Sequence, residues 1–173
     1  MATKAKSSLI SSFLKLVDSS DYDKITVTNL VEVCEISRQT FYYHFDDIDK
    51  MVNWAFENET KIICNGINDS NLSYSAEQYA EFFRKYDTLM RKALVTNKFI
   101  KIYNLLNESF KTFISKYISV KHSDNGADSE DTDFFISYCA SAFTGLAVLE
   151  VQKESPNYSA LMKKLFKSIK SIT

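Results

Sequence analysis

Residues 25–45 read ITVTNLVEVCEISRQTFYYHF. Thr26 stands where a hydroxyl can cap a helix, and Ser37 stands where a second helix can begin. Between them Leu30, Val33 and Cys34 recur at helical spacing, which predicts a short helix over about 27–34 with these side chains facing inward. A second short helix is expected over about 38–44, carrying Phe41, with Phe45 just beyond it. Two short capped helices joined by about three residues suit a helix-turn-helix, whose second helix lies in the major groove of duplex DNA. Leu30, Val33, Ile36 and Phe41 would hold the pair against an earlier helix.

Chemistry follows from what this second helix leaves exposed. Ser37, Arg38, Gln39 and Thr40 occupy its amino end, where base edges are reached. Arg pairs bidentately with guanine and Gln with adenine, so this stretch can discriminate among sequences. Tyr42, Tyr43 and His44 bring hydroxyl and imidazole groups suited to phosphates, which position without specifying. For Tyr43 and His44, packing or capping is the competing reading. Thr26 and Thr28 at the head of the first helix and Lys50 beyond the second complete the candidate DNA contacts.

This pattern resembles the amino-terminal domain of the tetracycline-repressor (TetR) family of bacterial transcription regulators. The matching positions are Thr26, Ser37, Phe41-Tyr42 and His44-Phe45, in register without gaps, and the resemblance covers about residues 8–56. It implies a homodimer of α-helical subunits on a roughly palindromic double-stranded operator. It also implies a DNA-binding domain over 1–50 and a helical regulatory and dimerisation domain over 51–173. Compact members, among them regulators of dihydroxyacetone kinase genes, are similar in length and in the Phe41-Tyr42-Tyr43-His44-Phe45 stretch. Two departures stand out. Glu35 precedes Ile36 where the family usually has Gly, so the turn needs a backbone that a side chain disfavours. Phe45 is followed by Asp46, Asp47 and Ile48, where the family commonly has Lys three residues on; here the next base is Lys50.

Working outward, Leu9, Phe13, Leu16 and Val17 mark an amphipathic helix of about 5–19, closed by a polar loop at 19–23. A helix from Ile48 to about Cys64 has acids in its first turn, where the helix dipole favours them. Asn65-Gly66 and the polar run 68–71 close it. Stripes of aromatic and aliphatic residues then predict helices of about 75–95, 98–119 and 132–153, with a loop from His122 to Thr132 around Asn125-Gly126. Pro156 is placed to start a last helix. Three Gly and one Pro cannot supply the turns of a sandwich or barrel, so the chain reads as all-α.

The later helices offer two further groups. Trp54, Tyr79, Phe82, Phe83, Tyr86, Tyr103, Phe110 and Phe113 either line an apolar ligand pocket or fill a core. Glu108 and His122 are the conspicuous titratable groups nearby. The 132–153 helix has a small-residue face that allows close helix approach. Phe135, Tyr138, Ala142, Leu146 and Leu149, with Leu161, Leu165 and Ile169, are therefore read as a homodimer interface. Lys163, Lys164, Lys167 and Lys170 read as a solvated face.

Bulk composition closes off other classes. The 173 residues are 45% hydrophobic and 25% charged, an ordinary mixture for one globular domain or two sharing a core. Cys34, Cys64 and Cys139 are too far apart for a disulfide framework or a structural zinc site, so no metal is expected. No P-loop, G-x-S-x-G or H-E-x-x-H pattern is present, so neither catalysis nor a cofactor is expected. The amino terminus lacks a signal-peptide pattern and no unbroken apolar run nears a bilayer span, giving a cytoplasmic expectation without a membrane partner. Net charge is −1. Residues 1–50 hold six basic and eight acidic side chains, a balance of −2, which leaves +1 on the remainder. The expected function is a sequence-specific transcription regulator, a homodimeric repressor answering a small-molecule or protein effector. The alternatives are an activator or co-regulator controlled by a protein partner, and an all-α interaction or ligand-carrier module with a degenerate helix-turn-helix.

Overall fold

Side-chain oxygens set where several helices begin. Ser37 Oγ accepts from the Thr40 N–H at 3.0 Å, Asp47 Oδ1 from Lys50 at 2.6 Å, and Asn157 Oδ1 from Ala160 at 3.0 Å. Each satisfies an amide that has no partner inside its own helix. The computed structural model describes residues 2–67, 71–121 and 130–172. Among these the order is α1 (Ala2–Ser19), a 3-10 turn (Tyr22–Lys24), α2 (Val27–Val33), α3 (Arg38–His44), α4 (Ile48–Asn65), α5 (Leu72–Leu94), α6 (Phe99–Lys121), α7 (Glu130–Val151) and α8 (Tyr158–Ile172), with no strand. The fold is all-α, as expected. The polar segment 68–70 and most of the loop at 122–132, with His122 and Asn125-Gly126, lie outside the described residues.

Helix α1 packs against α2, α4 and α5, and α2 against α3; we term α1 to α3 the amino-terminal unit and α4 to α8 the bundle. One buried cluster runs from Leu9 to Ile169. Helix α4 crosses the expected boundary at residue 50 and touches α1 as well as α5 and α6. Aromatic rings fill the bundle interior. Tyr79 stacks on Phe110 at 5.2 Å and meets Phe113 edge-on at 5.4 Å, while Phe113 stacks on Phe166 at 4.4 Å. Such geometries add about 0.5–1.5 kcal/mol per pair to the burial itself. A polar knot sits among these rings. Thr60 Oγ1 and Ser109 Oγ are 2.6 Å apart, and Tyr79 Oη lies 3.0 Å from Ser109 Oγ and 3.1 Å from its carbonyl, joining α4, α5 and α6.

Four placements differ from the sequence expectation. The stretch at 19–23 is not wholly a polar loop, because Tyr22 begins a 3-10 turn and is buried against Phe13 at 5.8 Å. In α2 it is Val31 that enters the core with Leu30, while Val33 is 50% exposed. A helix of seven residues makes barely two turns, so its inward face is poorly fixed by periodicity. Pro156 precedes the Asn157 cap and is not the first residue of α8. Helix α7 begins at Glu130, so the 122–132 loop ends earlier than expected.

Candidate nucleic-acid interface

Thr26 and Asn29 reciprocate at the start of α2. Asn29 N–H donates to Thr26 Oγ1 at 3.3 Å, and Thr26 N–H donates to Asn29 Oδ1 at 3.0 Å. At the other end the Glu35 N–H returns to the Glu32 carbonyl at 3.2 Å and the Ile36 N–H to the Val31 carbonyl at 3.1 Å. That pair of bonds is a Schellman closure, which needs a left-handed residue after the cap. Glu35 fills that place with φ of 53°, the one positive φ outside glycine among the described residues. The turn therefore forms without Gly, at the conformational cost the sequence foretold.

The closure aims α3 outward. Phe41 is fully enclosed and Phe45 nearly so, which anchors one side of α3. Ser37, Arg38, Gln39, Thr40, Tyr42 and Tyr43 lie on its exposed side. Tyr43 is 83% exposed and Tyr42 55%, so neither is used to hold the helix in place. His44 is half-buried beside Tyr43, ring centroids 5.0 Å apart. Arg38 Nη2 donates to Thr28 Oγ1 at 2.9 Å, tying the two helices together across the turn. A guanidinium has five N–H donors, so this bond fixes the direction of Arg38 while leaving donors for a base edge. Thr26 is committed to the cap and Thr28 to Arg38. Lys50 is exposed at the start of α4, beyond α3.

Several charges near this surface are already engaged. Lys6 Nζ lies over the rings of Phe45 at 5.0 Å and Trp54 at 5.3 Å, and Lys24 pairs with Asp21 at 2.6 Å. Asp49 meets Lys98 at 3.1 Å and Lys101 at 2.8 Å. Burial pushes its carboxyl up, but hydrogen bonds from Lys101 and Lys98 outweigh this and hold it below the usual carboxylate range. Sequence reading passed over both lysines, since nothing local marks a partner about fifty residues away.

The other candidate groups divide by burial. Tyr79, Phe82, Phe83, Tyr86, Phe110 and Phe113 are enclosed by neighbouring rings. Trp54 packs beside Phe45 at 5.8 Å, and Tyr103 beside Phe99 at 6.0 Å. None of the eight lines the described clefts, one of 330 Å³ between α5 and α8, one of 230 Å³ between α4 and α6, and one of 480 Å³ at the end of α1 beside Lys92. Glu108 borders the second cleft and pairs with Lys111 at 3.2 Å. On α7, Tyr138, Leu146 and Leu149 are 63%, 45% and 59% exposed, Ala142 is exposed and Phe135 half-buried. Phe134, outside the expected set, is 73% exposed on the same helix. Leu165 and Ile169 are enclosed within the chain, where amphipathic α8 turns its apolar stripe to its own bundle, so these two do not belong to an outward face. Leu161 is half-buried. The four α8 lysines are exposed, and Lys163 reaches Glu77 at 3.8 Å. All three cysteines are free thiols, and burial pushes Cys64 up to about 11.

By length and composition α7 is apolar enough to cross a bilayer, but here it packs against α6 and α8 as a bundle helix. The sequence reading missed this because Ser, Thr and Tyr interrupt its apolar run.

No family model matches the chain. It is 24% identical over 163 residues to the HTH-type dhaKLM operon transcriptional activator DhaS of Lactococcus lactis subsp. lactis, a match spanning 91% of this chain and 82% of that protein. Its fold superimposes on a solved structure of the dihydroxyacetone kinase operon activator DhaS with a TM-score of 0.76, at 18% identity, over 96% of this chain and 94% of that one. The sequence is thus similar to that of a transcription regulator, and the fold is one that a transcription regulator adopts.

Proposed function

We propose that the chain is a sequence-specific DNA-binding transcription regulator that works as a homodimer and activates its target genes. The observation that carries this reading is the exposed amino end of α3, where Ser37, Arg38, Gln39 and Thr40 project from a helix anchored by buried Phe41. The names of the relatives favour an activator over the repressor expected from the sequence. Each subunit inserts α3 into a major groove, Tyr42 and Tyr43 meeting phosphates on either side. The outward apolar residues of α7 supply the dimer contact. Because the bundle's aromatic side chains pack against one another, the reading favours control through a protein surface over a small apolar inducer.

Selection from random duplex DNA tests the proposal. Enrichment of a palindrome is expected, and failure to enrich any sequence rejects it. Arg38→Ala and Gln39→Ala should each weaken binding to the selected duplex by about 1–3 kcal/mol while the oligomeric state stays the same. A reporter placed behind that duplex should rise in expression with the intact chain and not with R38A.

A further inference from the structure

The corner between α5 and α6 carries three lysines, Lys92, Lys98 and Lys101, which reach the end of α1, the 3-10 turn and the first turn of α4. Lys92 Nζ donates to the carbonyls of Val17 at 2.6 Å and Ser20 at 2.9 Å, and lies 3.4 Å from that of Asp18. These groups sit at the end of α1, where carbonyls lack helical partners and the dipole favours a cation. The cap therefore comes from a residue 75 positions away on another helix. Lys98 and Lys101 grip Asp49 in the first turn of α4, and Lys98 Nζ also lies 5.9 Å from the Tyr22 ring. Tyr22 is buried, so the corner touches α1, the 3-10 turn and α4 together.

From this geometry we infer that Lys92, Lys98 and Lys101 form a clamp through which the bundle sets the orientation of the DNA-reading helices. The inference rests on the regulator reading for its consequence, though not for its geometry. All three lysines are engaged by protein groups, so they are positioning residues. The Lys92 cap holds the end of α1, where the chain enters α2 and α3, and the Asp49 pairs hold the first turn of α4, where the chain leaves them, so the DNA-reading helices are tied to the corner on both sides. In a dimer, rotation of these helices changes the distance between the two recognition helices, and half-site spacing is a geometric constraint on binding. Loss of the clamp should therefore leave each recognition helix able to read its half-site while blurring the preferred spacing.

Two measurements on the full chain test this. Amide hydrogen exchange is compared among the native protein, Lys92→Met, Asp49→Asn and the conservative Lys92→Arg. Exchange in α1 and α2 should quicken about tenfold in K92M and in D49N, with α7 and α8 unchanged and K92R close to native. Uniform acceleration across all helices, or no change, overturns the clamp. Binding is then measured to the selected palindrome, to versions with one or two base pairs inserted at its centre, and to a single half-site. K92M should lose about tenfold on the native spacing with half-site binding intact; equal loss on every duplex overturns the positioning role. If the native chain selects no sequence, the regulator reading fails, and hydrogen exchange alone decides the clamp.

Discussion

Glu35 holds a backbone conformation that its own side chain opposes. With φ of 53° it closes the turn between α2 and α3, and an L-residue in that region costs about 1–2 kcal/mol relative to glycine. Glu35→Gly should thus raise the unfolding free energy by about 1 kcal/mol, read as a higher urea midpoint at unchanged slope. Asp49 makes a prediction of a different kind. Its carboxyl titrates below the ordinary range because Lys101 and Lys98 offset the penalty of burial. A depressed pKa contributes stability that is present above the unfolded value, about 3.9, and is lost as pH falls through the lower folded value. Acid unfolding of D49N should accordingly show a shallower dependence on pH below about 4 than the native chain.

At the scale of helices, α7 is the element whose environment is incomplete. Phe134, Tyr138, Leu146 and Leu149 stand in solvent on a helix that is largely apolar beyond its acidic first turn. Leu149→Lys should shift the protein toward monomer in light scattering, with little change in helix content, if a second copy covers this face. An unaltered mass would place the dimer contact elsewhere. Other elements show what sequence could and could not tell. Helix α3 was legible to the residue because Ser37 caps it and the apolar spacing of Phe41 and Phe45 agrees with that start. The two-point clamp was invisible, since a lysine's partner 75 positions distant leaves no periodic trace. Nor could a stripe of residues reveal what it packs against. Leu165 and Ile169 turned out to meet their own bundle, and the aromatic stripes of α5 and α6 meet each other. Whether rings enclose a space depends on how their volumes add up in three dimensions, which spacing alone does not carry.

Over the whole molecule, charge separates this chain from a strongly basic DNA binder. Its first 50 residues hold a balance of −2, and two of their six bases, Lys6 and Lys24, already serve an aromatic pair and an aspartate. Affinity that depends on neutralising phosphates should therefore be modest. The logarithm of operator affinity against that of salt is expected to correspond to about two to four phosphates per subunit. A slope near −10, as lac repressor gives, would contradict this reading. On the proposed reading, most discrimination would then rest on a few directed contacts, those of Arg38 and Gln39 first.

The hydroxyl knot of Thr60, Ser109 and Tyr79 has a mechanical consequence. If α4 slid past α6 by one helical turn, about 5.4 Å, the bonds joining Thr60 to Ser109 and Ser109 to Tyr79 would break at the buried edge of the cleft that Thr60 and Ser109 border. Each orphaned group would cost about 1–3 kcal/mol. Slippage between these helices is thereby blocked, as a key stops a gear turning on its shaft. On the proposed reading, a signal received far from the DNA would then travel by a tilt that moves α4, α5 and α6 together, and not by a slide of one along another.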